Sequence, residues 1–258
     1  MTAPGAGPHA GPGGADSGGV PWAGRTLTPS PFAGDDGAAE PEVVAALAER
    51  DSHGPAAVVA ALAATRVFVP VVAVAAGEEP TATTGDAGAD MAVVTLTAPD
   101  GRRALPVFTS TAALAAWRAD ARPVPSEVER AALSAVDEGC ALLVVDLGSE
   151  RPFVVPRPAV EALAQQRPWT PSWAREDVAA VVAAAVASEG VVTSARVERG
   201  RRAETAVVLT LAPGLDRADL DALIQRVQAR LAAAEVVAEA VDSLELRVVG
   251  AGGGQGQA

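Results

Sequence analysis

Three hydroxyls in a row, Thr109, Ser110 and Thr111, follow the apolar residues 106–108 and precede AALAAW, whose spacing predicts a helix. At such a junction a Ser or Thr oxygen accepts a hydrogen bond from one of the N–H groups that a first helical turn leaves without a partner. Capping is therefore the first expectation. The same geometry, exposed N–H groups at the positive end of a helix dipole, also makes a small anion site. Arg102 and Arg103 on the strand feeding the helix would add charge, with one of them pointing outward because strand neighbours face opposite ways. The candidate anion or ligand site is thus Arg102, Arg103, Thr109, Ser110 and Thr111.

The other chemistry-bearing residues are few. Cys140 is the only cysteine and opens the apolar run CALLVVDL just after a predicted helix C-terminus, where the dipole raises a thiol pKa. It reads as a buried structural thiol; the alternative, a sulfur-carrying thiolate, needs a cation nearby. His9 and His53 are the only histidines, one in a Gly/Pro-rich tail and one in the connection DSHGP. A Ser-His or Cys-His relay would need another base, and a closed zinc site of Cys and His lacks ligands. Asp86 and Asp90 in GDAGAD miss the spacing of a calcium loop and its closing Glu, so the segment reads as a flexible connection. No phosphate-loop, dinucleotide or nucleophile-elbow motif occurs. The sequence therefore predicts no catalytic residue, no metal and no cofactor.

These residues must be positioned by cores of Ala, Val and Leu, since the chain is 49% hydrophobic but only 3% aromatic. Lys, Asn and Tyr do not occur and Ile224 is the only isoleucine, the mark of a GC-rich coding bias. A net charge of −12 argues against a nucleic-acid surface, which needs a basic stripe, and disfavours anionic membranes. With neither a leader-like start nor a long apolar run, the expectation is a soluble, cytoplasmic protein.

Residues 1–37 and 250–258 are Gly- and Pro-rich and read as disordered tails. EPEVVAALAER and PAAVVAALAATR predict two helices. VFVPVVAV predicts a strand, with Pro70 placing it at an edge or a bulge. MAVVTLT and RRALPVF predict a hairpin turning at Asp100 and Gly101. Ser126 and Glu129 read as a capping box on a helix ending near Gly139. ALLVVDL predicts a central strand, PFVV a short one and RPAVEALAQQ a closing helix. Prolines in QQRPWTPSW mark a break, and Trp169 and Trp173 beside it are expected to pin two domains together or to wall a cleft between them. Beyond the break the pattern is αββαβ. Residues 204–211 alternate as a half-buried antiparallel strand, Asp216 caps the next helix, and Arg199, Arg201 and Arg202 form a solvated hairpin tip.

VFVPVV, DGRRALPVFTS with AAW after it, LLVVDLG and PFVVPRPAVEALA, in that order, resemble the SseB family, named for enhanced serine sensitivity, in its actinobacterial form. The resemblance covers roughly residues 58–167, and the αββαβ block is similar to the C-terminal half that often accompanies it. It supplies no catalytic residue or cofactor. At Asp146, Leu147 and Gly148 this chain departs from the family, where Asn-Pro or Asp-Pro is commoner.

The expected architecture is α+β: an N-terminal domain over 38–167 and a C-terminal domain over 168–249, each a mixed or antiparallel sheet covered by helices. The expected function is a non-enzymatic binding or regulatory module. It would hold a protein partner or small ligand at a sheet edge or in the interdomain cleft at Trp169 and Trp173, with a homo-oligomer also open to it. The alternative is an enzyme, or a sulfur or anion carrier, in amino-acid metabolism, centred on Cys140 or the three hydroxyls.

Overall fold

The computed structural model describes residues 31–74 and 90–250. The tails, His9, and the connection holding Asp86 lie outside them in whole or in large part; of Asp90 only its place in a strand is described. Contacts divide the chain between Asp36 and Gly37. In the first unit Asp35 N–H closes a turn on the Phe32 carbonyl at 3.1 Å.

The second unit starts with three helices, α1 (Pro41–Ala48), α2 (Arg50–His53) and α3 (Pro55–Ala63). Proline opens the first and third, where its missing N–H has no helical partner to lose. Then come β1 (Arg66–Val74), β2 (Asp90–Val93), β3 (Leu96–Thr97), β4 (Arg103–Val107), α4 (Thr111–Trp117), β5 (Arg122–Glu127), α5 (Val128–Asp137), β6 (Leu142–Val145), β7 (Phe153–Val155) and α6 (Arg157–Ala164). These strands form a sheet β2-β1-β5 and a sheet β3-β4-β6-β7, in which only β4 and β6 run parallel. Phe68 and Phe108 exchange both backbone hydrogen bonds, at 2.8 and 2.9 Å, and so join the two sheets.

This junction corrects two expectations. β1 is the middle strand of its sheet, not an edge, although it carries Pro70. Phe68 turns its polar backbone toward Phe108, and Pro70, two residues on, faces the same way and accepts only Val94 N–H. The missing donor falls in the gap between the Phe108 bridge and the Val93 end of β2, where no ladder bond is needed. Pro106 in β4 sits in the same gap from the other side, between Ala104, paired with Leu96, and Phe108. The predicted hairpin does form, closed by Ala98 N–H to the Arg102 carbonyl at 2.8 Å, with Gly101 at φ +86°. MAVVTLT, however, is two strands: residues 91–93 pair with β1, and only Leu96 and Thr97 pair with β4.

The capping box at Ser126 is also absent. β5 runs straight into α5, so Glu127 stands at the N-cap without a side-chain bond, and the Ser126 hydroxyl donates to the Glu127 carbonyl at 3.2 Å. The other end of α5 closes as expected. Gly139 at φ +67° sends its N–H to Val136, and Cys140 sends its own to Ala135, the paired bonds of a Schellman turn.

Alternation sorts the side chains. Val67, Val69, Leu105, Val107, Leu143 and Val145 face the core under α1, α3, α5 and α6, where Val128, Ala131, Ala132 and Ala135 supply the stripe of α5. Phe68 and Phe108 face the other way, onto Leu114 and Trp117 of α4.

The rest is a two-layer block: a 3₁₀ turn (Ser172–Ala174), α7 (Glu176–Val186), β8 (Val192–Arg199), β9 (Thr205–Leu211), α8 (Arg217–Ala232), α9 (Glu235–Ala240) and β10 (Leu244–Gly250). Asp216 caps α8 through Asp219 N–H at 2.9 Å. β9 is central, antiparallel to β8 and parallel to β10. It is buried on both faces, not half-buried: Ala206 and Val208 are as inaccessible as Val207 and Leu209. Their cover is charged. Glu198 accepts from Arg247 at 2.6 Å and from Arg196 at 3.1 Å, on the two strands flanking Val208, so the arginine stems shield it. Gly200 in the β8–β9 turn has no room for a side chain, since a Cβ would stand 2.2 Å from the Ala203 carbonyl oxygen.

Candidate functional site

The three hydroxyls stand at the C-terminal end of β4. The Ser110 oxygen accepts Ala113 N–H at 3.0 Å, the N-cap of α4. Thr109, buried, gives both its N–H (2.8 Å) and its hydroxyl (2.9 Å) to Asp146, which ends the adjacent parallel strand β6 at φ +51°. Thr111 bonds the Gly37 carbonyl through its N–H and its hydroxyl. Arg66 donates to the Thr109 carbonyl at 2.8 Å and lies 4.4 Å from the centroid of the Phe68 ring. Gly148 leaves space for Trp117, whose Cδ1 would come within 3.2 Å of a Cβ there.

The two candidate arginines lie at the opposite end of β4. Arg103 bonds the Glu138 carbonyl and the Thr95 hydroxyl. Arg102 holds Asp100 at 2.8 Å and Asp242 at 2.7 Å. Burial opposes its charge, but these two carboxylates outweigh that and raise its pKa. The structure therefore groups Thr109, Ser110 and Thr111 with Asp146 and Arg66, and places Arg102 and Arg103 elsewhere. Ser110→Ala is expected to cost about 0.5–2 kcal/mol, while Ser110→Asp, which caps as well and suits the helix terminus, should melt close to wild type. Thermal melts of the two variants check this.

Cys140 is 4% exposed, and burial pushes its thiol up, against the pull of Arg103. His53 is exposed in α2 and meets Glu49 at 2.9 Å. Among the described residues no three of His, Cys, Asp and Glu gather as a metal site, and no helix is long and apolar enough to cross a membrane.

Arg102 leads instead to a polar seam between the two halves of the second unit. The Asp242 carboxylate, 7% exposed, also accepts the N–H of Arg157 at the first turn of α6, at 3.0 Å. It thus caps a helix of the first half from the second. The Arg157 guanidinium reaches the carbonyls of Ala238 and Val241. Glu204 receives Asp242 N–H at 2.8 Å and Ser172 N–H at 3.3 Å, and the buried Ser172 and Thr205 hydroxyls bond each other.

Beside this seam lies a cavity of about 290 Å³, walled by Trp169, Trp173, Phe153, Arg199, Glu204 and Asp242 among others. Trp169 also borders a second cavity, about 660 Å³, lined by Glu161, Arg167, Arg175 and Glu239. Its ring packs on the core of the first half. Its indole N–H is buried and has no acceptor among the described residues. Sequence reasoning singled out both tryptophans. It missed Asp242, Arg157, Glu204 and Ser172, none of which belongs to a local motif.

The architecture is a mixed α+β protein in which two sheet-and-helix halves share a polar seam. Residues 41–162 match the family described as SseB protein N-terminal domain, so the chain carries an SseB-family N-terminal domain over that stretch. No curated protein and no solved structure matched.

Proposed function

We propose that this chain is a soluble, cytoplasmic, non-enzymatic binding or regulatory module whose ligand or protein partner enters the cleft walled by Trp169 and Trp173. The observation that carries the reading is the cavity of about 290 Å³ beside the seam, where the rings of Trp169 and Trp173 offer flat apolar faces next to the charged side chains of Arg199 and Glu204. The alternative, an enzyme or carrier, requires a reachable thiol at Cys140 or free hydroxyls at Thr109, Ser110 and Thr111. The thiol is buried, and each hydroxyl is already bonded. The serine-sensitivity phenotype behind the family name sets the reading near amino-acid metabolism.

Thermal melts against free amino acids, L-serine first, and short acceptor-rich peptides test it. A ligand that binds the folded chain raises the melting temperature. Trp169→Phe should abolish that rise while leaving the unliganded chain near wild-type stability, because the lost ring area is offset by removal of an unpaired buried donor. A rise that Trp169→Phe keeps and Ser110→Asp loses would move the site to the hydroxyls.

A further inference from the structure

The cavity beside the seam is one-sided in the groups it leaves unbonded. Its two carboxylates are already engaged: Glu204 accepts the N–H groups of Ser172 and Asp242, and Asp242 accepts the Arg102 guanidinium and Arg157 N–H. The Ser243 hydroxyl accepts Glu204 N–H at 2.9 Å. What remains on the wall are donors. Arg199, the last residue of β8, is exposed, and its guanidinium has no bonded partner among the described residues. The indole N–H of Trp173, a partly exposed residue, has none either. Pro55, Phe153 and Pro156 add apolar wall.

The charge beside Arg199 has the same sign. Arg50 in α2 donates to the Arg151 carbonyl at 2.8 Å, and Arg151 donates to Asp51 at 2.5 Å. That last bond holds the Asp51 carboxyl below the usual carboxylate range, with further pulls from the charges of Arg151, Arg50 and Arg199. Three guanidinium groups therefore share one carboxylate here, on a chain whose net charge is −12. A cleft with an excess of one sign concentrates ligands of the other.

A ligand that completes these walls must bring acceptors and negative charge, since a cation would have to draw Glu204 or Asp242 away from donors they already hold. A guanidinium without a partner receives a carboxylate through two parallel hydrogen bonds. Indole faces receive a flat ring. At about 290 Å³ the cavity lies at the lower end of small-molecule sites, roughly 300–1,000 Å³, which suits one or two rings better than a protein segment.

We infer that the cleft takes a small aromatic carboxylate, with its ring against Trp169 and Trp173 and its carboxylate on Arg199. This rests on the cleft reading above and adds the charge and chemical class of the ligand.

Calorimetric titration of the full chain with naphthoate and with its neutral isostere naphthamide tests it. The carboxylate should bind at least about tenfold more tightly than the amide, and high salt should narrow that difference because Arg199 is exposed. Arg199→Gln removes no bond within the chain, so it should keep the melting temperature and bring the carboxylate down to the affinity of the amide. Equal binding of the two probes, or a carboxylate preference that Arg199→Gln leaves intact, would overturn the inference; if Trp169→Phe still removes that binding, the cleft itself stands. Binding of neither probe up to about 10 mM would overturn it as well, and the cleft would then be judged by the Trp169 indole signal alone.

Discussion

Phe108→Ala is expected to lower stability by about 3–5 kcal/mol, the range for removing a fully buried aromatic ring. Phe108 has no exposed surface, and its ring centroid lies 5.2 Å from that of Trp117. Its backbone bonds to Phe68 survive the change, so what is lost is the packing between β1, β4 and α4. The cavity opens beneath Trp117, whose emission should shift to the red while the chain remains folded. Urea unfolding measures the loss. A value below about 1 kcal/mol would mean that the sheet junction rests on backbone bonds alone.

Asp242→Ala is expected to cost about 2–4 kcal/mol, because it removes a buried carboxylate that serves a guanidinium and a helix N–H at once. Arg102 keeps Asp100 as a partner and is one-third exposed, which holds the loss below that of a fully buried pair. Arg157 N–H has no such reserve, and α6 loses its cap. Asp242→Asn keeps an oxygen for that N–H and should lose less. Denaturation followed separately by hydrogen exchange in β6 and β9 should show the halves parting in the alanine variant. If both halves still exchange together at wild-type rates, the seam does not hold them.

The predictions that rested on local pattern hold where the cause is local: the helix ending at Gly139, the strand at residues 142–145 and the Asp216 cap follow from side-chain spacing and glycine conformation, and the αββαβ order is met with one short helix, α9, added before the last strand. Failures arise where a distant element sets the local rule. Pro70 signals an edge only if the strand is bonded along its length on both sides, and the Phe68–Phe108 junction removes that condition. Ser126 signals a cap only if a loop precedes the helix, and β5 leaves none. Ala206 and Val208 look exposed because their cover comes from Arg196, Glu198 and Arg247 on neighbouring strands. The seam was the least legible part, because Asp242 lies 140 residues from Arg102 and 85 from Arg157, and an aspartate before a strand carries no signal of either.

The proposed cleft function is read most directly at the indole signal of Trp169, whose ring lines the cavity. The chain has four tryptophans, Trp22, Trp117, Trp169 and Trp173, and a nitrogen–proton spectrum gives each indole N–H its own signal, with Trp169→Phe identifying the one in question. In the free protein that signal should lie upfield, as for a donor without an acceptor, and exchange slowly because it is buried. Addition of small-molecule extract from the native host should shift it as a ligand covers the ring, with the backbone amides of Thr109, Ser110 and Thr111 unmoved. A Trp169 signal unchanged by extract, beside shifts at Thr109, Ser110 and Thr111, would contradict the cleft and return the site to the end of β4.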